Sequence, residues 1–189
     1  MVKDLNKMTT DELGHLFPII IVDYNPDWPR LASIEFGNIF EAVGKDVITR
    51  LEHIGSTAVP GLCAKPTIDF LLEILEIINC DLLIKQLQKI GYHFIPKPEN
   101  PLPHMMFAKG YSESGITGQT FHIHVRYPGD WDELVFRDYL IKNKSVTAEY
   151  SKLKRKLAVE FKFDREKYTD SKSTFIKNTT LTARKKNKI

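Results

Sequence analysis

Apolar and polar residues follow two different periods along this chain, and the change from one to the other sets the expected architecture. The clearest alternation is Phe121-His122-Ile123-His124-Val125-Arg126, whose two-residue period is that of a half-buried β-strand. It places His122, His124 and Arg126 on one side and the apolar residues on the other. Pro66 to Ile74 reads as a second strand, with Asp69, Leu71 and Glu73 on one face and Phe70, Leu72 and Ile74 on the other, the expected core face. Val47, Ile48, Leu51 and Ile54 predict a strand just before it. Pro18 to Asp23 predicts an extended lead-in strand, Tyr92 to Ile95 a short strand, and Met105 to Lys109 an edge strand followed by a turn over Gly110 to Gly118. Pro96 to Pro103 holds four prolines in eight residues and must be a loop, because proline cannot donate to a strand ladder.

The helical period governs the rest. A helix from about Pro29 to Val43 carries Leu31, Ile34, Ile39 and Phe40, with Asp27 as its cap and Gly44 as its stop. Another, capped by Asn79 or Asp81, carries Leu82, Leu83, Leu87 and Ile90 and ends at Gly91. From Trp131 onward the chain reads as three helices, Trp131 to Lys142, Thr147 to Phe163 and Arg165 to about Ala183, packing through Leu153, Leu157, Phe161, Phe175 and Ile176. Trp28, Trp131 and Tyr168 are expected as further packing residues. The fold class expected is therefore α+β, with a mixed sheet core over 18–127, a helical part over 130–183 packed on it, and a basic tail over 184–189, all in one domain. No internal repeat divides the chain.

Composition narrows the partners more than the fold. A chain of 189 residues with 42% hydrophobic content can bury a sizeable core. The net charge of +3 owes much to Arg184-Lys185-Lys186-Asn187-Lys188, so the remainder is close to neutral and no nucleic-acid partner is expected. The sequence shows only two cysteines, Cys63 and Cys80, no secretory signature and no apolar run of membrane-spanning length. A soluble cytoplasmic protein with no membrane partner is expected. Cys63 has no base predicted beside it and is expected to fill its loop rather than attack a substrate.

Candidate chemistry gathers where the Asp69 and His122 strands would lie side by side. In the segment Leu51 to Glu73, LEHIGSTAVPGLCAKPTIDFLLE, Gly55-Ser56 would let the backbone approach a ligand and cradle phosphate oxygens, although a tight turn with a helix cap is the plainer alternative. Glu52 and His53 face opposite ways, so one of the two reaches the cleft. Asp69 sits among apolar residues and must be solvated in a cleft, paired or liganded, since unpaired burial costs several kcal/mol. An ion pair with Lys65 or Arg126 is its simplest structural role. His122 and His124, about 7 Å apart at Cα, could converge on one ion, act as general acid and base, or only hydrogen-bond within a polar cleft. Lys65, Arg126 and Lys172 are the candidate contacts for an anionic ligand.

The segments EHIGSTAVPGLCAKPTID, FHIHV and LVFRDYL, with Tyr24-x-Pro26-x-Trp28 before them and Tyr168-Thr169-x-x-Lys172-x-x-Phe175-Ile176 after them, resemble the GrpB family over nearly the whole chain. That family is similar in fold to the nucleotidyltransferase superfamily, so the resemblance implies a nucleotidyltransferase-like fold with the C-terminal helices on the sheet. It also implies a site in which a Gly-Ser turn and acidic strand residues hold a metal and a nucleotide triphosphate. Gly55, Ser56 and Asp69 match that pattern, whereas Leu71 stands where the second carboxylate belongs and His122 and His124 stand in the region of the third. One aspartate and two imidazoles hold Mg²⁺ poorly and suit Zn²⁺ or Mn²⁺ better. The leading expectation is a transferase-like protein that binds a nucleotide or phosphorylated small molecule, with a divalent metal (Mg²⁺, Mn²⁺ or Zn²⁺) at Asp69, His122 and His124. A non-catalytic ligand-binding module, or a metal-dependent enzyme of another reaction class on the same scaffold, is the alternative.

Overall fold

The computed structural model describes residues 8–96 and 103–186; most of the proline-rich loop and the end of the basic tail lie outside them. In chain order the elements are α1 (Thr10–Leu16), α2 (Trp28–Val43), β1 (Ile48–Ile54), one 3₁₀ turn (Ser56–Ala58), β2 (Thr67–Ile74), α3 (Cys80–Lys89), β3 (His93–Ile95), β4 (Met105–Ser112), β5 (Gly115–Arg126), α4 (Asp132–Lys142), α5 (Lys144–Glu160) and α6 (Arg165–Lys186). Helix α2 begins with a proline in its first turn and stops at Gly44, which takes the positive φ of +92° that glycine tolerates. Asp27 does not cap it through its side chain; its own N–H is held by Asn25 Oδ1 at 2.9 Å. Asn79 does cap α3, accepting from the Leu82 N–H at 3.1 Å.

The strands form one five-stranded mixed sheet in the order β1-β2-β5-β4-β3. β1 runs antiparallel to β2, β2 parallel to β5, and β5, β4 and β3 antiparallel in turn. Three sequence expectations are corrected here. Pro18 to Asp23 is not a strand but makes a single bridge, Val22 to Ala64. β4 is an interior strand, because the short β3 pairs along its outer side. The turn expected over Gly110 to Gly118 is confined to Glu113 and Ser114: the strands of the hairpin take up the rest, with a register shift between Lys109 and Tyr111 around Gly110 at φ +88°. Helix α1 has no counterpart among the expected elements, and a capping box between Thr9 and Glu12 starts it.

β2 is buried along nearly its whole length on both faces. On one face Ile68, Phe70, Leu72 and Ile74 join Phe107, Ile123 and Val125 against Trp28, Ala32 and Ile39 of α2 and Leu83 and Leu87 of α3, forming the main core. Each such side chain contributes about 1.5–3 kcal/mol on burial. Ile34 and Leu82, expected to pack, are more than half exposed. The C-terminal helices build a second cluster in which Leu140, Tyr150 and Phe175 close over Val59 and Leu62 in the connection from β1 to β2. Tyr150 stacks on Phe175 at 4.9 Å and meets Phe136 edge-on at 5.4 Å. Lys154, almost wholly buried on α5, donates to the Cys63 carbonyl and fastens the same connection to the helices. The loop that leads to Lys65 is thereby fastened to the C-terminal helices.

Candidate functional site

Parallel pairing of β2 with β5 sets Asp69 directly opposite His122, Leu71 opposite His124 and Glu73 opposite Arg126. Cross-strand partners in a sheet point the same way, so these six side chains share the face turned away from the main core. The Asp69 Oδ1 lies 3.1 Å from His122 Nδ1 and 3.8 Å from His124 Nε2. One donor atom from each of Asp69, His122 and His124 falls within 4.8 Å of the others, the spacing of ligands around one ion. Asp69 and His124 each keep 27% of their side-chain surface open, which leaves a route for a ligand. Burial alone would raise the Asp69 pKa, but the hydrogen bonds and positive charge of the two imidazoles outweigh it and hold the carboxyl well below the usual carboxylate range. Burial lowers the pKa of His122, against the hydrogen bond and charge of Asp69.

The Gly-Ser turn meets this cluster edge-on. Gly55 holds φ +71°, and a Cβ there would lie 2.6 Å from Asp69 Oδ2. Only a residue without a side chain lets the backbone pass so close to the carboxylate. Ser56 opens the 3₁₀ turn, is half-buried, and its hydroxyl makes no hydrogen bond among the described residues. His53 lies on the core side of β1, where its Nε2 meets the Thr57 hydroxyl at 2.9 Å and burial pulls its pKa down to about 4. Glu52 is the neighbour on the cleft side, and Arg137 of α4 takes it up at 2.9 Å.

The three expected anion contacts divide. Lys65 and Lys172 both lie within electrostatic reach of Asp69: burial, the charge of Arg165 and that of Lys172 bring Lys65 down to about 8, and burial with Arg165 brings Lys172 to about 8, Asp69 opposing both. Neither lysine has a hydrogen bond or ion pair among the described residues; Lys172 Nζ rests 4.1 Å from the centre of the Tyr168 ring. Arg165, absent from the site residues expected from sequence, lies about two turns before Lys172 on the same side of α6 and donates to the Phe17 carbonyl. Arg126 goes elsewhere. It stands four residues up β5 from His122, pairs with Glu133 at 3.7 Å and lies over Trp131. Leu71 and Glu73 share the Asp69 face but are fully covered, Glu73 holding Arg50 at 3.3 Å and the Gly129 N–H at 3.2 Å.

A profile described as GrpB protein matches residues 18–181, spanning the sheet and all three C-terminal helices. The chain belongs to the GrpB family. GrpB relatives cover most of it: a UPF0157 protein of Halalkalibacterium halodurans is 33% identical over 92% of this chain and 87% of its own length. The glutamate-rich protein GrpB of Alkalihalophilus pseudofirmus is 31% identical over 84% of this chain and 91% of its own. A dephospho-CoA kinase of Mycolicibacterium paratuberculosis is 28% identical over 73% of this chain, which spans only 39% of that protein. The crystal structure of conserved protein GrpB from Enterococcus faecalis shares the fold at a TM-score of 0.76 and 33% identity, over 90% of this chain and all of that one. This GrpB protein has no helix among its described residues long and apolar enough to cross a membrane.

Proposed function

We propose that this GrpB protein binds a nucleotide or phosphorylated small molecule through a divalent cation held by Asp69, His122 and His124. The observation that carries the reading is the convergence of these three donors within electrostatic reach of Lys65 and Lys172, neither of which has an ion pair of its own among the described residues. Two half-buried cations this close to each other favour an added anion, and a phosphate group supplies that charge. A cation there would polarise a phosphoryl oxygen and offset its charge. Asp69 and the two imidazoles anchor that end of the ligand, Gly55 keeps the approach open, Ser56 offers a free hydroxyl, and Lys65 with Lys172 neutralises the far oxygens. The likeness to part of a dephospho-CoA kinase supports a ligand of the nucleotide or phosphate-ester class.

The donor set favours zinc or manganese over magnesium, because imidazole suits borderline metals and Mg²⁺ demands oxygen. Leu71, with no exposed surface, occupies the position where two-metal nucleotidyl transfer requires a second carboxylate. That burial favours a ligand-binding module or a one-metal enzyme of another class over a standard nucleotidyltransferase. The test is calorimetric titration of chelator-treated, tag-free protein with Zn²⁺ or Mn²⁺, then with ADP or pyrophosphate. One equivalent of metal, tighter anion binding once it is loaded, and loss of both in Asp69→Asn are expected. Anion affinity that is the same with and without metal, or unchanged in Asp69→Asn, would sink the proposal.

A further inference from the structure

Tyr111, in the stretch expected to be a turn, instead lies in β4 and reaches the candidate site through its hydroxyl. Its oxygen is 3.0 Å from His122 Nε2 and 3.4 Å from Thr67 Oγ1, and its ring stacks on the His122 ring at 5.7 Å with 13° between the planes. Phe17 braces it edge-on at 5.2 Å. Beyond Thr67 the contacts continue: Thr67 Oγ1 is 2.9 Å from Thr120 Oγ1, which donates to the Pro66 carbonyl at 3.1 Å.

Counting protons gives this chain a direction. Each hydroxyl has one hydrogen to give. Thr120 spends its hydrogen on the Pro66 carbonyl, so Thr67 must donate to Thr120. With Thr67 committed, only Tyr111 can donate across the 3.4 Å contact, and the Tyr111 oxygen is then left to accept from His122 Nε2–H. Every link is satisfied in this arrangement, but it strips the proton from Nδ1 and turns a bare nitrogen toward the Asp69 carboxylate at 3.1 Å. Two acceptors so placed need a cation between them. The opposite arrangement puts the ring proton on Nδ1, donating to Asp69, and has Tyr111 donate to Nε2; the contact between Tyr111 and Thr67 is then left with no hydrogen.

We propose that Tyr111 is a positioning residue of the cation site: when a divalent cation takes the Nδ1 lone pair of His122, the Tyr111 hydroxyl changes from donor to acceptor and holds the ring as its Nε2–H tautomer. The proposal rests on the cation reading above. One N–H bond at Nδ1 breaks and one at Nε2 forms, the proton exchanging through water, and the ring carries a single proton before and after. The Thr67–Thr120–Pro66 chain takes up the hydrogen that Tyr111 no longer gives to the ring. Partners of this kind commonly set metal affinity by 10–100-fold, because they fix both the tautomer and the orientation of the ligating imidazole.

The test uses the full chain labelled with ¹⁵N-histidine and freed of metal, with the His122 signals assigned from His122→Gln. Multiple-bond ¹H–¹⁵N spectra should show Nδ1–H without metal and Nε2–H after one equivalent of Zn²⁺. Tyr111→Phe should keep its thermal transition yet bind Zn²⁺ about 10–100-fold more weakly. Thr67→Val, which removes the acceptor beyond Tyr111 together with the Thr67 donation to Thr120 and leaves Tyr111 in place, should weaken binding by a smaller factor and serves as the variant if Tyr111→Phe does not fold. Zinc-loaded protein that retains Nδ1–H overturns the proposal, as does full zinc affinity in the variants. Wild-type protein that takes up no zinc by metal analysis removes the cation reading itself, an outcome told apart from the first by the absence of bound metal.

Discussion

On the α2 face of the sheet, Glu35 and Lys109 meet at 2.8 Å, Asn38 gives the same carboxylate a second bond at 2.9 Å, and the rings of Tyr92 and Phe121 flank the ammonium at 5.3 and 5.8 Å. Every charge there has its counterpart. On the opposite face, Asp69 is shared by two imidazoles while its charge also acts on Lys65 and Lys172, which have no ion pair of their own among the described residues and feel Arg165 as well. The two regions bury similar groups in the same fold. What separates them is whether the chain itself supplies the compensation, and a face left uncompensated is one that an outside ligand can complete.

Breaking the matched face should have the largest effect. Glu35→Ala leaves Lys109 without its partner and should cost about 3–5 kcal/mol in chemical denaturation, with little change in ligand binding. Next comes Gly55→Ala, which forces a Cβ against Asp69 Oδ2 and strains a positive φ; a loss of about 1–3 kcal/mol is expected, together with weaker cation binding because the carboxylate must shift. Lys172→Met sharpens the contrast from the other side. It should leave stability within about 1 kcal/mol of wild type, since no ion pair is lost, while anion affinity measured by calorimetry falls. The last effect is a slope with pH. Lys65 and Lys172 give up protons near pH 8 when folded, against about 10.4 for a free lysine, so the unfolded chain binds more protons in that window. Wild-type stability should therefore rise from about pH 8 toward pH 10, and Lys172→Met should flatten the rise.

Much of this contrast was open to reading from residue patterns, because alternation along β2 and β5 is a local property. The shared face of Asp69, His122 and His124 needed only the two-residue period, and the Gly-Ser turn needed only its composition. Register and strand order are not local. Whether β4 is an edge depends on β3, a three-residue strand whose pairing no neighbour announces. Tyr111 was hidden for a related reason: glycines at 110, 115 and 118 read as a turn, while the chain uses the first as a bulge inside a continuing hairpin. Arg126 has the right face by period yet is claimed by Glu133 at the start of α4, a choice made only when the helix docks. Lys154 was absent from the sequence expectations, because a lysine's burial depends on what packs over its stem.

Asp69 and His122 are separated by 53 residues of chain, yet they stand side by side on parallel strands. Parallel pairing over such a distance is among the slower events in assembling a domain, because the intervening loop must close before any contact rewards it. An ion bridging the two strands would act as a clasp on the seam that shuts late. It would leave the speed of folding almost untouched and act instead on how long the finished sheet stays closed.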